Sequence, residues 1–278
     1  MALFSKNIPL LGPLELSPWR SLALLAWDSV SDASVHTVIE VEAGPMLRFI
    51  QARGKSAGIA INPVHFVGKT LGDTLRELPD VNCVLRRGRL YRRRDVDIMF
   101  PVALDKKGYD LSTAVIREVD TKSIDAIASE LFRAARDLRK QGGSSFKAGP
   151  RLLQRPMLRF AQFLLYTLNL WTPALGMPKN PFGSAAVTDV SSFGADFAFP
   201  PLLPLARLPL VFGVGPVFDR YGKDGKSAKW IRLFFVFDHR IIDGVYAGRI
   251  CHYFRDVFAK PEEFYGNSAG AEPEKGAA

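Results

Sequence analysis

Residues 230–245, Trp-Ile-Arg-Leu-Phe-Phe-Val-Phe-Asp-His-Arg-Ile-Ile-Asp-Gly-Val, constrain this chain more than any other stretch. Residues 233–237 form an unbroken apolar run rich in aromatics, with the length and composition of a buried strand. The run stops at Asp238-His239-Arg240, and Asp243-Gly244 opens a segment, 245–258, whose apolar residues recur at helical spacing. Such a stretch must thread the interior and deliver an imidazole at its end. A rigid strand end is where a general base is best held. A core histidine that only satisfies a backbone carbonyl would share the same pattern.

The rest of the composition sets bounds. With 278 residues, 47% of them apolar, the chain can bury a full core as one large domain or two small ones. Cys83 and Cys251 make neither a metal spacing nor a disulfide framework, so a reducing cytoplasm is the expected setting, and no metal is expected. The opening Met-Ala-Leu-Phe-Ser-Lys lacks a basic segment followed by a continuous apolar one, so no secretion signal is expected. Much of the net charge of +9 comes from Arg86, Arg87, Arg89, Arg92, Arg93 and Arg94 around Gly88. Such a cluster could attract nucleic acid, anionic lipid or the phosphates of a coenzyme. The preferred reading is a solvated hairpin turning at Gly88. No zinc spacing, helix-turn-helix or RNA-binding motif accompanies the arginines, so no nucleic-acid partner is expected.

In chain order, residues 1–16 are apolar and broken by Pro9 and Pro13, an extended arm packed on something. Ser17-Pro18-Trp19-Arg20 starts a helix. Alternation over 34–42 predicts a half-buried strand, and 45–52 a short helix ended by Gly54. Asn62-Pro63 opens a helix with Val67, Leu71 and Leu75 on one face, and His65 and His36 read as packing or capping residues. Residues 84–104 read as a hairpin and a strand, and 111–119 as another strand. Ser123 caps a helix with Ile124, Ile127, Leu131 and Ala135 on its apolar face. Residues 151–172 form a basic-fronted apolar helix, too short to span a bilayer and broken by Gln162 and Asn169. Arg151, Arg155 and Arg159 fall on one side of it. Three placements stay open: an extra packing or subunit-contact helix, an in-plane helix at a membrane surface, or a lid. Residues 184–190 and 210–218 are strands, 219–227 a polar turn, and 266–278 a disordered tail.

The 238–244 stretch resembles the D-H-R-x-x-D-G signature of the dihydrolipoyl acyltransferases of 2-oxoacid dehydrogenase complexes. Chloramphenicol acetyltransferase and the peptide-synthetase condensation domains share the wider H-x-x-x-D-G theme, usually with a second histidine where Asp238 stands here. Residues 64–82, 120–131 and Gly213-Val214-Gly215 are similar to further parts of that family. The resemblance runs over about 15–265, interrupted by an insertion at 144–180. It implies an α/β (α+β) sandwich with a mixed β-sheet flanked by helices, as one catalytic domain over 1–265. It also implies a homotrimer, with larger assemblies open, whose active-site channel runs between subunits.

By the same resemblance the activity is acyl transfer between coenzyme A and a thiol such as dihydrolipoamide. His239 is then the general base, and Ser191, in Ser191-Ser192-Phe193-Gly194, the oxyanion donor. Asp243, paired with Arg20, anchors the histidine loop, and Asp238, Arg240 and Gly244 support it. Coenzyme A enters as substrate, and a lipoyl group, on a protein supplied in trans, as acyl carrier. The alternative is a trimeric scaffold or membrane-docking assembly subunit with little or no turnover. It is favoured by the basic 151–172 helix and by the weak match of 111–115 to the family's donor-channel strand. In that case the protein sits peripherally at a membrane.

Overall fold

The computed structural model describes residues 5–15, 33–104, 111–140, 160–175, 178–203, 206–223 and 225–266. Arg20, the basic front of the insertion (Arg151, Arg155, Arg159) and tail residues 267–278 lie outside them.

Eleven strands and five α-helices follow one another within the described residues. They are β1 (Ser5–Lys6), β2 (Leu10–Pro13), β3 (Ser34–Glu42), α1 (Gly44–Ala57), α2 (Pro63–Glu77), β4 (Cys83–Arg86), β5 (Arg89–Arg93), β6 (Ile98–Ala103) and β7 (Leu111–Ile116). Then come α3 (Ile124–Lys140), β8 (Leu170–Trp171), β9 (Ala185–Asp189), β10 (Leu210–Tyr221), β11 (Ser227–Asp238), α4 (Gly244–Ala259) and α5 (Pro261–Tyr265). A six-stranded sheet in the order β3-β11-β10-β9-β6-β7 forms the centre. It is mixed: β9 pairs in parallel with β10 and β6, and the remaining neighbours are antiparallel.

Alternation along the strands sorts side chains onto the two faces. On β11, Leu233, Phe235 and Phe237 join the larger core beneath the helices, while Val236 joins a second core on the opposite face. Phe212 of β10 stacks between Phe235 and Phe254 of α4, with ring centroids 5.0 and 4.5 Å away. Each fully buried phenylalanine of this kind adds roughly 2–3 kcal/mol of burial free energy. The helix carrying the C-terminal half of the histidine loop is therefore fastened directly to the strand carrying its N-terminal half.

Local chemistry explains several helix ends. Asn62 accepts from the His65 amide while His65 Nδ1 accepts from the Asn62 amide, a reciprocal capping box that starts α2. Ser123 Oγ accepts from the Ala126 amide at the start of α3. The helix expected to stop at Gly54 instead runs to Ala57 and stops at Gly58, which takes the left-handed conformation (φ 65°). Gly54 is inside the helix for a different reason: a Cβ there would come within 2.8 Å of the Ile59 carbonyl.

The second core brings together segments remote in sequence. Leu165 and Tyr166 of the insertion pack with Ile8 of the arm, Met99, Phe182 and Val211. The insertion does not stay helical to 172. After a π-type turn (Phe163–Leu168) Asn169 adopts φ 56°, and β8 then pairs with β1. The Asn169 side chain bonds both the N–H and the C=O of Ile8, so arm and insertion close on each other. The described part of the insertion is thus a packing element.

The hairpin β4–β5 does turn at Arg87-Gly88, both with positive φ. Its arginines are not all solvated, however. Arg87, Arg89 and Arg94 are exposed, but Arg93 is buried and bonds the Asn180 side chain. Arg86 donates to the carbonyls of Tyr166 and Thr167, capping the end of the inserted turn. Arg92 holds Asp80. Among the described residues no helix is long and apolar enough to cross a membrane.

Candidate active site

His239 follows the last residue of β11 and is half-buried. Its amide donates to the Ala33 carbonyl at 2.8 Å, continuing the ladder between β11 and β3. Its ring lies edge-on to Phe237 at 6.3 Å. The decisive contact is local: Nδ1 lies 2.8 Å from the carbonyl oxygen of Ile242, three residues on. A carbonyl can only accept, so Nδ1 carries the hydrogen and the neutral ring presents the lone pair at Nε2. The loop thereby favours the tautomer with its hydrogen on Nδ1.

Asp238 and Arg240 flank the histidine and are both buried, 2% and 5% exposed. The guanidinium of Arg240 grips the Asp238 carboxylate through Nε at 2.9 Å and Nη2 at 2.7 Å, and the Arg240 amide adds a third contact at 3.0 Å. The Asp238 carbonyl also accepts from the amides of Ile241 and Ile242. The turn beneath the imidazole is consequently closed on both its main-chain and its side-chain sides. Asp243 caps α4, accepting from the amides of Val245 and Tyr246 at 3.0 Å each. A carboxylate at a helix N-terminus is stabilised by the free amides and the helix dipole. Gly244 opens the helix, and a Cβ there would meet open space.

Ser191 stands in a one-turn 3-10 segment, Ser191–Phe193, directly after β9, and is exposed. Its hydroxyl donates to Asp189 Oδ1 at 2.6 Å, and the Ser192 amide and hydroxyl also bond Asp189. Gly213 of β10 makes room for this turn. A Cβ there would come within 2.7 Å of Val190 and 3.2 Å of Pro200. Gly213 and Gly215 lie within β10, a strand rather than a phosphate-binding turn.

Register places the serine and the histidine of one chain far apart. Asp189 is level with Val214 on β10, which faces Leu233 on β11. His239 lies six residues further along, about 20 Å at a strand's rise of roughly 3.3 Å per residue. A single chain therefore does not bring Ser191 and His239 together. The open groove lined by Ile50, Gln51, Gly54, Lys55 and Ile61 contains neither of them.

Two participants escape side-chain reasoning. The Ile242 carbonyl that orients the imidazole leaves no mark in residue identity. Asp80, which meets Tyr246 of α4, belongs to a loop that the sequence marks only as a helix exit. Among the described residues no group of three or more His, Cys, Asp or Glu is placed to hold a metal.

Residues 26–144 match the family model for the 2-oxoacid dehydrogenases acyltransferase (catalytic domain). That match ends before the histidine motif. No curated protein matches the chain. Among solved structures, a dihydrolipoamide acetyltransferase of Azotobacter vinelandii is similar at 21% identity, covering 91% of this chain and 94% of that one with a TM-score of 0.62. Its catalytic mechanism has been investigated through a serine, a histidine and an asparagine. The cubic core of a pyruvate dehydrogenase multienzyme complex is similar at 20% identity, with the same coverage and TM-score. A chloramphenicol acetyltransferase is similar at 14%, covering 86% of this chain and 94% of that one at 0.51. At such identities the likeness is one of fold, and it spans nearly the whole of both chains.

Proposed function

Since this chain resembles the catalytic domain of the 2-oxoacid dehydrogenase acyltransferases in fold and in its histidine motif, we propose that it is a coenzyme A-dependent acyltransferase acting on a thiol such as dihydrolipoamide. The observation that carries the reading is the His239 Nδ1 contact to the Ile242 carbonyl just past the end of β11, which puts the lone pair of the neutral ring on Nε2. A thiol with a pKa of about 8.5 is mostly protonated at neutral pH, and only its thiolate attacks well. His239 Nε2 takes the thiol proton as sulfur bonds to the thioester carbon. The carbonyl oxygen then carries the negative charge, and a hydroxyl about 3 Å away stabilises it. Collapse breaks the bond from carbon to the coenzyme A sulfur, and that sulfur takes the proton back from Nε2. No acyl-enzyme is needed.

Ser191 is the hydroxyl proposed for the oxyanion. Because it sits about 20 Å along the sheet from its own His239, the reading requires an assembly in which one copy supplies histidine and the next supplies serine, and the family resemblance makes that assembly a homotrimer. The cubic core of the similar multienzyme complex supports an assembled state. A lipoyl-bearing protein in trans would bring the acyl acceptor. The competing reading is an assembly scaffold with little turnover. The engagement of Ser191 with Asp189 favours it, since a carboxylate beside an oxyanion is repulsive.

The test is acetyl transfer from acetyl coenzyme A to dihydrolipoamide. His239→Ala should lower kcat by about a hundred- to ten-thousand-fold, and Ser191→Ala by about a hundred-fold or more. Co-expressing the two variants should restore about a quarter of wild-type activity, because in a cyclic assembly that fraction of seams joins an intact histidine to an intact serine. Equal, slow release of coenzyme A by wild type and His239→Ala would leave the scaffold reading.

A further inference from the structure

The first turn of α4 is held from outside as well as by its cap. Tyr246 Oη donates to Asp80 Oδ2 at 3.0 Å. The other oxygen of that carboxylate accepts from Arg92 Nε and Nη2 at 2.9 and 2.6 Å. Asp80 lies in the loop between α2 and β4, Arg92 on β5 and Tyr246 on α4, so two neighbouring segments meet a helix remote in sequence.

Tyr246 is joined to that loop through its own main chain. Its amide donates to Asp243 Oδ1. Asp243 follows Ile242, whose carbonyl holds His239 Nδ1. The contacts thus form one line, from Arg92 and Asp80 through Tyr246 and Asp243 to the Ile242 carbonyl and the imidazole. Side chains of Arg92 and Asp80 are 42% and 32% exposed, so their ion pair by itself adds little stability. Its effect is directional: Arg92 engages Oδ1 with two donors and leaves Oδ2 to the phenol. A hydrogen bond to an ionised acceptor is shorter and stronger than a neutral one.

We infer that Tyr246 is a positioning residue for His239, acting through Asp80 and Arg92 to fix the Ile242 carbonyl that selects the imidazole tautomer. The inference rests on the reading of His239 as the base, and it concerns no group that touches substrate. If the tie served only to strengthen α4, its loss would lower thermal stability and leave the ring unchanged.

The experiment reads the ring directly. Protein labelled with 15N-histidine is examined by long-range proton–nitrogen NMR at a pH where histidine is neutral, with His239→Asn assigning the signals. Wild type should show His239 with hydrogen on Nδ1 alone. Tyr246→Phe, which removes only the hydroxyl, should bring in the Nε2–H form at about a tenth of the population or more. Asp80→Asn should do the same, and the double variant should add nothing further, because both act on one contact. In acetyl transfer, kcat of Tyr246→Phe should fall roughly three- to ten-fold with KM unchanged. Wild-type ring signals in Tyr246→Phe, or additive effects in the double variant, would overturn the inference. The two readings fail separately. A ring shift in a protein without acyl transfer would remove the activity and leave the brace. Normal acyl transfer with unmoved ring signals would remove the brace and leave the activity.

Discussion

Replacing Asp238 by asparagine changes one atom type and removes one charge at the base of the histidine loop. The carboxylate is 2% exposed and faces an arginine that is 5% exposed. It accepts from Arg240 through the amide and through Nε and Nη2. Asparagine keeps Oδ1 for the amide and Nε contacts but loses the Nη2 contact and the negative charge that the buried guanidinium grips. Breaking a buried pair from one side costs about 3–5 kcal/mol, and the retained oxygen argues for the lower end, about 3 kcal/mol. For a chain of this size each kcal/mol moves Tm by roughly 2–4 °C, so the expected loss is about 6–12 °C. Scanning calorimetry at neutral pH measures it. Asp238→Asn combined with Arg240→Met should recover part of the loss, since neither charge is then buried alone. A Tm within about 2 °C of wild type would refute the argument, because it would mean that solvent or other groups replace the carboxylate without cost.

Acid should weaken the fold through His65. Burial lowers its pKa from 6.5 to about 4, and its Nδ1 accepts a hydrogen bond that protonation would abolish. Between these values the unfolded chain binds a proton that the folded chain refuses. Stability is therefore fully present above about pH 6.5 and declines by roughly 1.4 kcal/mol per unit down to about pH 4. Urea melts across that range should show the slope, and His65→Gln should flatten it. Gly213→Ala should destabilise by about 1–3 kcal/mol through overpacking and also lower kcat, because the new methyl meets Val190 at 2.7 Å, next to Ser191. An unchanged urea midpoint would show that the turn yields freely.

Several elements were legible from local pattern alone. The apolar run 233–237, the capping Asn62 and Ser123, and the Asp243-Gly244 helix start each owe their conformation to residues within a few positions. Such signals survive in a single sequence. Gly54 and Gly58 show where that legibility stops. Either could end a helix; Gly54 stays inside it, where the close Ile59 carbonyl leaves no room for a side chain, and Gly58 supplies the left-handed turn. The hairpin arginines show the same limit. Arg87 and Arg93 look alike in sequence, yet one is exposed and the other is buried against Asn180. The far side of the sheet is closed by Asn169 on Ile8, across 161 positions.

From residue order alone came an imidazole at a strand end, because periodicity is a property of neighbouring residues; the mixed sheet under helices and acyl transfer were expectations that a short motif carried by its resemblance to a known family. Only the folded chain decided which nitrogen of His239 meets the Ile242 carbonyl, that Asp80 and Tyr246 meet, and that its own Ser191 lies far along the sheet. Those follow from strand register and long-range contact, which depend on how distant segments meet and leave no periodic trace in the residues themselves.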